Sequence, residues 1–469
     1  MSENAVNYRP AYHYSPEKNW VNDPNGLVYL DGEYHLFYQY NPFGDKWGHM
    51  SWGHAVSTDL QNWEELPVAL PEIINDDGTK EGIFSGSAVV DSLNTSGFFE
   101  PGFKHGLVAI FTANITKGEE QLSQNQSIAY SSDKGRTWKY YDQNPVLDIG
   151  LKDFRDPNVM WWPSEQKWIM TVVKPLEYIA QFYESKDLKN WTLMSEFGKM
   201  GDTTKIWECP ALVKVPVEKS EEGKWVLIIS SGYKTEGFVG MQYFVGDFDG
   251  HSFTPQKATG VLSLDHGKDF YAAIPFNGLP NEHKKPLIIG WINNWTYAGD
   301  IPLQGSRGTF SMARQLSLTE VEGSYVLVQT PVVSDAILQE NLNLTAADFS
   351  NNKVLEMPTN SYGLNLAIDL KNLDSFKISL LKNENEECLL SYHKESEQLT
   401  FDRTKSGKVD FQADFPSIEQ MTVTPNNGKL TLSIFVDNSV IEIYGDGGKK
   451  VMTELVFPTK SSGKILFSK

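Results

Sequence analysis

The sequence predicts an all-β chain, a five-bladed β-propeller followed by a C-terminal β-sandwich, and three observations carry this reading. Strand-forming residues fall in runs of five or six between Gly, Asn, Asp and Pro, as in Tyr34-His-Leu-Phe-Tyr38, Leu107-Val-Ala-Ile-Phe-Thr112 and Leu287-Ile-Ile-Gly-Trp291. No long stretch shows a 3.6-residue period. An Asp followed four or five positions later by an aromatic recurs at Asp59/Trp63, Asp133/Trp138, Asp187/Trp191 and Asp249/Phe253, with Asp-to-Asp steps of 74, 54 and 62 residues. That pitch suits propeller blades with generous loops. Beyond Leu342 the pattern changes to alternating strands such as Leu364–Leu370 and Leu430–Val436, with turns such as Asn426-Asn-Gly428, which suggests a sandwich.

The elements follow in order. The propeller is expected over residues 1–325, an irregular linker over 326–341, where the blade pattern stops, and the sandwich over 342–469. A second series runs in phase with the first: Asp23, Ser85, Asp156, Glu208 and Asp269, at steps of 62, 71, 52 and 61 residues. Each opens or precedes a strand, so a five-bladed ring would bring all five to one end of its channel. Taken singly, an Asp-Pro is a turn; the shared phase is what points to a polar funnel.

Composition narrows the chemistry. The 469 residues carry a formal charge of −19, which repels phosphate backbones and anionic lipid. No apolar run approaches the roughly 18 residues of a membrane helix. Two cysteines, Cys209 and Cys388, make no disulfide framework or Cys-rich zinc site, and 9 His spread along the chain make a His-rich metal site improbable. Walker, His-Glu-x-x-His and Gly-x-Ser-x-Gly motifs are absent. The polar segment Met1–Pro10 lacks a secretory signal, so the chain as written reads as cytoplasmic, and a trimmed secreted protein would read the same. Paired carboxylates flanked by Trp and Phe are what glycoside cleavage requires: one stays ionised, the other holds a proton for the leaving oxygen. Burial beside Trp207 is one way to favour the protonated form of Glu208.

Three stretches also carry a resemblance: Trp20-Val-Asn-Asp-Pro-Asn-Gly26, Arg155-Asp-Pro157 and Trp207-Glu-Cys-Pro210. With Tyr34–Pro42, Trp52–Ser57, Asp269-Phe-Tyr-Ala272, Trp291-Ile-Asn-Asn-Trp295 and Val436–Tyr444, they resemble glycoside hydrolase family 32 along essentially the whole chain. That family includes invertases, levanases and exo-inulinases, and its fold is a five-bladed propeller plus a sandwich. The resemblance implies that Asp23 is the nucleophile, Glu208 the acid/base, and Asp156, with Arg155, the stabiliser that holds the fructosyl hydroxyls. It further implies that Asn22, Gln39, Trp47, Phe84, Ser85, Asp269 and Trp295 line the fructose pocket. Retention of configuration follows, with the two catalytic carboxyls on the order of 5–5.5 Å apart.

Val21 stands where many relatives carry Met, and Gln304–Arg314 lacks a Trp and a Pro-Arg pair often found there. The choice between sucrose and longer fructans therefore stays open. The expected activity is an exo-acting β-fructofuranosidase on sucrose and on β-2,1 or β-2,6 fructans, in a monomer or homodimer, with no metal or organic cofactor implied. A fructosyltransferase and a non-catalytic carbohydrate-binding propeller are the rivals. Cys209 reads as a packed small hydrophobe, since the mechanism needs no thiol, and His54 as a packed or hydrogen-bonded histidine.

Overall fold

The computed structural model describes residues 6–220, 222–231, 240–257 and 260–469. Among these residues the chain is almost all β, with a single five-residue α-helix at Ala346–Ser350. Seven sheets form, five before residue 332 and two after it. The inner strands of the first five are Asn19–Leu30, Thr79–Val90, Arg155–Trp162, Trp207–Pro216 and Tyr271–Pro275. Each inner strand touches the next and the last touches the first, closing a propeller ring.

The strand pattern shows why. Along Lys167–Lys174, Ile169 and Val173 pack toward the fourth sheet while Met170 and Val172 pack toward the second. Alternate residues thus serve opposite faces, and both faces are buried. Such a layer lies between every neighbouring pair of sheets, and each large apolar side chain so buried contributes about 1.5–3 kcal/mol. Gly26, at φ +53°, lets this wall close: a Cβ there would stand 2.8 Å from Phe37 and 2.9 Å from Trp52.

The recurrent Asp turns join the third and fourth strands of the first four sheets. Asp59 Oδ1 accepts the N–H groups of Gln61 at 2.9 Å and Asn62 at 2.7 Å, and Asp187 Oδ1 accepts those of Lys189 and Asn190 at 2.9 and 2.8 Å. The repeat is therefore a backbone-capping device, as its Asp chemistry predicts. Further along the channel, Asn277 Nδ2 donates to Ala88 O and Val159 O, both at 2.9 Å, and its backbone bonds Leu27 O and Tyr29 N–H. One residue, through its side chain and its backbone, thereby ties four inner walls together.

The sandwich packs a five-stranded against a six-stranded sheet over a core that includes Phe376, Tyr392, Phe401 and Phe467. The irregular connection is shorter than the 326–341 expected. Ser324–Pro331 pairs with Arg314–Val321 and completes the fifth sheet, and Leu338–Leu344 pairs parallel with Ser361–Asp369 in the sandwich. The N-terminal arm crosses the seam between the two parts. The N–H groups of Ala11, Tyr12 and His13 all donate to Asp437, and His13 lies between Asp437 and Glu442. Burial works against charging His13, but those two carboxylates push it up to about 9, so the arm is locked by a cation.

Partial burial would raise the Asp59 carboxyl, but the donors of Asn62, Gln61 and Ser57 hold it down to about 2. A carboxyl lowered on folding stabilises above its unfolded value, near 4, and loses that contribution as pH falls toward the folded one. Asp59→Ala should therefore cost about 1 kcal/mol at pH 7, and the difference from wild type should close between pH 4 and 2. Urea unfolding at several pH values measures it.

Candidate active site

All five inner strands share an irregularity at the same level. Their pairing register slips between Val21 and Pro24, Ile83 and Gly86, Arg155 and Asn158, Glu208 and Ala211, and Tyr271 and Ile274. A bulge leaves residues unpaired and re-aims their side chains. Asp156, Cys209 and Ala272 there take φ of 66, 45 and 57°, a conformation costly for residues with a Cβ.

Four of the five in-phase residues converge. Asp23 Oδ2 accepts Ser85 Oγ–H at 2.6 Å and lies 3.3 Å from Cys209 Sγ, while Oδ1 accepts Asn22 Nδ2–H at 3.1 Å. Asp156 Oδ2 accepts the Cys209 N–H at 2.9 Å and lies 3.6 Å from its Sγ. The Asp156 N–H is anchored on Thr112 Oγ1 at 2.9 Å. Glu208 accepts Arg155 Nη2–H at 2.9 Å on one oxygen and Tyr271 O–H at 2.5 Å on the other.

Three carboxylates in one funnel repel one another. Burial pushes the Asp156 carboxyl up, Arg155 works against that, and the charges of Glu208 and Asp23 add to it, bringing it to about 7. Asp156 is therefore partly protonated near neutrality. Burial and the same three carboxylates push the Cys209 thiol far up, so it remains S–H. Cys209 is thus more than the packed hydrophobe expected, because it is a shared donor between two carboxylates.

The remaining expected residues fall into place unevenly. Gln39 donates to Asn25 Oδ1 at 2.8 Å and Ile83 O at 2.9 Å, holding the first wall to the second beside Phe84 and Ser85. Phe84 meets Trp47 edge-on at 6.2 Å, and Trp47 is 52% exposed at the rim. Trp295 packs on Trp20 at 6.0 Å, whose Nε1–H donates to Asn22 at 2.8 Å. Arg155 turns to Glu208 and Asp153. His54 is buried, bonded to His35 at 3.0 Å and stacked on Phe37, as expected.

Asp269 does not join the cluster. It is fully buried at the seam, where Arg403 of the sandwich pairs with it at 2.5 Å. The fifth wall instead contributes Tyr271, which sequence reasoning missed; it lies two positions on, in the same motif. Trp207, expected beside Glu208, packs against Phe197 and Phe244 on the other side of its strand. Volume does not mark the site. A cavity of about 1010 Å³ lies at the seam beside Tyr8, Arg307 and Lys408, whereas one of about 10 Å³ lies among Ser85, Asp156 and Cys209. Convergence of ionisable groups is the better guide.

A propeller funnel that gathers two aspartates and a glutamate offers the carboxylates that glycoside cleavage uses. Models of the glycosyl hydrolases family 32 N-terminal domain and C-terminal part match residues 13–331 and 333–469, and the chain belongs to that family. It is 43% identical to a levanase of Bacillus subtilis over 97% of this chain and 67% of that protein. It is 40% identical to an extracellular exo-inulinase of Aspergillus awamori over 97% and 90%, and 34% identical to an invertase of Schizosaccharomyces pombe over 98% and 82%. Among solved structures, the Aspergillus awamori exo-inulinase matches with a TM-score of 0.88 at 36% identity, covering 100% of this chain and 96% of that one. A fructofuranosidase from Schwanniomyces occidentalis complexed with fructose matches with 0.88 at 33%, over 100% and 96%.

Two outcomes follow from the electrostatics. A carboxyl raised on folding costs stability as pH climbs from its unfolded value near 4 through the folded value near 7. Asp156→Asn should therefore unfold a few °C above wild type at pH 8, the gap shrinking toward pH 4 in calorimetry. The buried, protonated Cys209 and the equally buried Cys388 should resist iodoacetamide at pH 8 in the folded protein. Mass spectrometry should find both alkylated only after denaturation.

Proposed function

We propose that the protein is a retaining, exo-acting β-fructofuranosidase that releases terminal fructose from sucrose and from inulin- or levan-type fructans. The observation that carries this is the unequal surroundings of the two outer carboxylates. Asp23 is cradled by the neutral donors of Asn22, Ser85 and Cys209, whereas Glu208 is gripped by Arg155 and Tyr271. In the first step Asp23 attacks the anomeric carbon, and Glu208 gives its proton to the departing oxygen as the glycosidic bond breaks. In the second, Glu208 takes a proton from water, whose oxygen displaces Asp23 and restores the original configuration. Asp156, whose carboxyl is raised to about 7, hydrogen-bonds the ring hydroxyls.

The exo-inulinase relative supports exo action. The exposed Trp47 rim offers an apolar face to the leaving sugar. The levanase, exo-inulinase and invertase relatives agree with this substrate class in their names.

Asp23→Ala and Glu208→Gln should each lower kcat on sucrose by roughly three orders of magnitude or more with the thermal transition retained. A proton NMR time course should show β-fructofuranose first. Near-native rates in both variants, or the α anomer first, would overturn the roles. Equal release of glucose and fructose from concentrated sucrose identifies hydrolysis, and a fructose deficit identifies transfer.

A further inference from the structure

The segment that delivers Tyr271 to Glu208 is gripped by the sandwich as well as by its own blade, where Asn294 bonds Lys268 O at 2.9 Å. His266 N–H donates to Val451 O at 2.7 Å, Lys268 N–H to Glu454 Oε1 at 3.1 Å and Asp269 N–H to Thr453 O at 3.1 Å. In return, Leu455 N–H donates to Asp269 Oδ2 at 2.7 Å, and the Arg403 Nη1–H reaches the same oxygen at 2.5 Å. Tyr297 O–H closes on Oδ1. The next residue, Phe270, lies under the Arg314 guanidinium at 3.9 Å, and Arg314 bonds Glu442 and Thr453 of the sandwich at 2.9 and 2.8 Å. Tyr271 then donates to Glu208, and Ala272 takes the left-handed φ of 57°.

We propose that Asp269 and Arg403 are positioning residues for Glu208, acting through Tyr271 across the domain seam. The proposal rests on the reading of Glu208 as the acid. A buried ion pair stabilises little against an apolar replacement, so adhesion between the two parts does not require one here. What the pair supplies is register. Asp269 has several donors fixing both oxygens, so its backbone cannot slide, and the strained turn at Ala272 cannot relax by drawing Tyr271 away. A misplacement of about 1 Å is enough to cost a large part of an oriented proton transfer.

The test separates aiming from general loosening by choice of leaving group. Fluoride leaves without a proton, so kcat/KM on β-D-fructofuranosyl fluoride does not need a well-aimed Glu208, whereas kcat/KM on sucrose does. Asp269→Asn and Arg403→Lys should each lower kcat/KM on sucrose about tenfold while changing that on the fluoride less than about twofold. Tyr271→Phe should show the same selectivity, and Tyr271→Phe combined with Arg403→Lys should be no worse than Tyr271→Phe alone. Tyr12→Phe, which removes a seam hydrogen bond to Val436 O, should leave the ratio of the two substrates at its native value. The two seam variants alter opposite partners of the pair, so either folded one decides the matter, with folding checked by thermal unfolding. Equal losses on both substrates, no selective loss, or additive effects with Tyr271→Phe would overturn the inference. If Glu208→Gln itself spares neither substrate, the acid assignment falls and takes the inference with it. If Glu208→Gln is selective and the seam variants are not, the inference alone falls.

Discussion

The irregular pairing of the inner strands is the constraint on which the funnel depends. Each propeller sheet is buried on both faces, so a regular strand would send alternate side chains into one apolar layer or the other. No polar residue could reach the channel without leaving that pattern. The bulge at each motif breaks the alternation for two residues, and in that gap stand Asn22 and Asp23, Phe84 and Ser85, Asp156, and Cys209. Left-handed backbone at Asp156 and Cys209 costs on the order of 1–3 kcal/mol each. The hydrogen bonds that these residues make with one another and with Thr112 offset part of that cost.

Charge imposes a second cost. Burying Asp156 within the fields of Asp23 and Glu208 opposes its ionisation, and the three carboxyls meet different partners. Arg155 meets Glu208, neutral donors meet Asp23, and Asp156 takes up a proton. The site is therefore a local weakness in an otherwise well-packed body, tolerated because the interleaved apolar layers are large.

Much of this was legible in the sequence because periodicity and turn chemistry are local properties. The Asp turns and the in-phase motifs disclosed the ring, and the motifs named Asp23, Asp156 and Glu208. Orientation was not legible, because it depends on where a bulge shifts parity. Asp269 had the right residue type in the right phase and faces the seam, while Tyr271, without a charge to draw notice, faces Glu208. Trp207 failed for the same reason, packing away from the residue beside it. The linker was overextended because both strands lie at sheet edges: Ser324–Pro331 closes a hairpin with Arg314–Val321 that the blade spacing did not signal, and Leu338–Leu344 pairs with a strand some distance along the chain. Cys209 was set aside as apolar since a thiol's role as donor appears only once its carboxylate neighbours are known.

Asn277 joins inner strands that no single sheet unites: its side chain reaches the second and third, and its backbone pairs with the first. It follows closely on the fifth inner strand and holds three others, so chain continuity and hydrogen bonds fasten the ring at the same point. The walls there cannot drift apart one at a time.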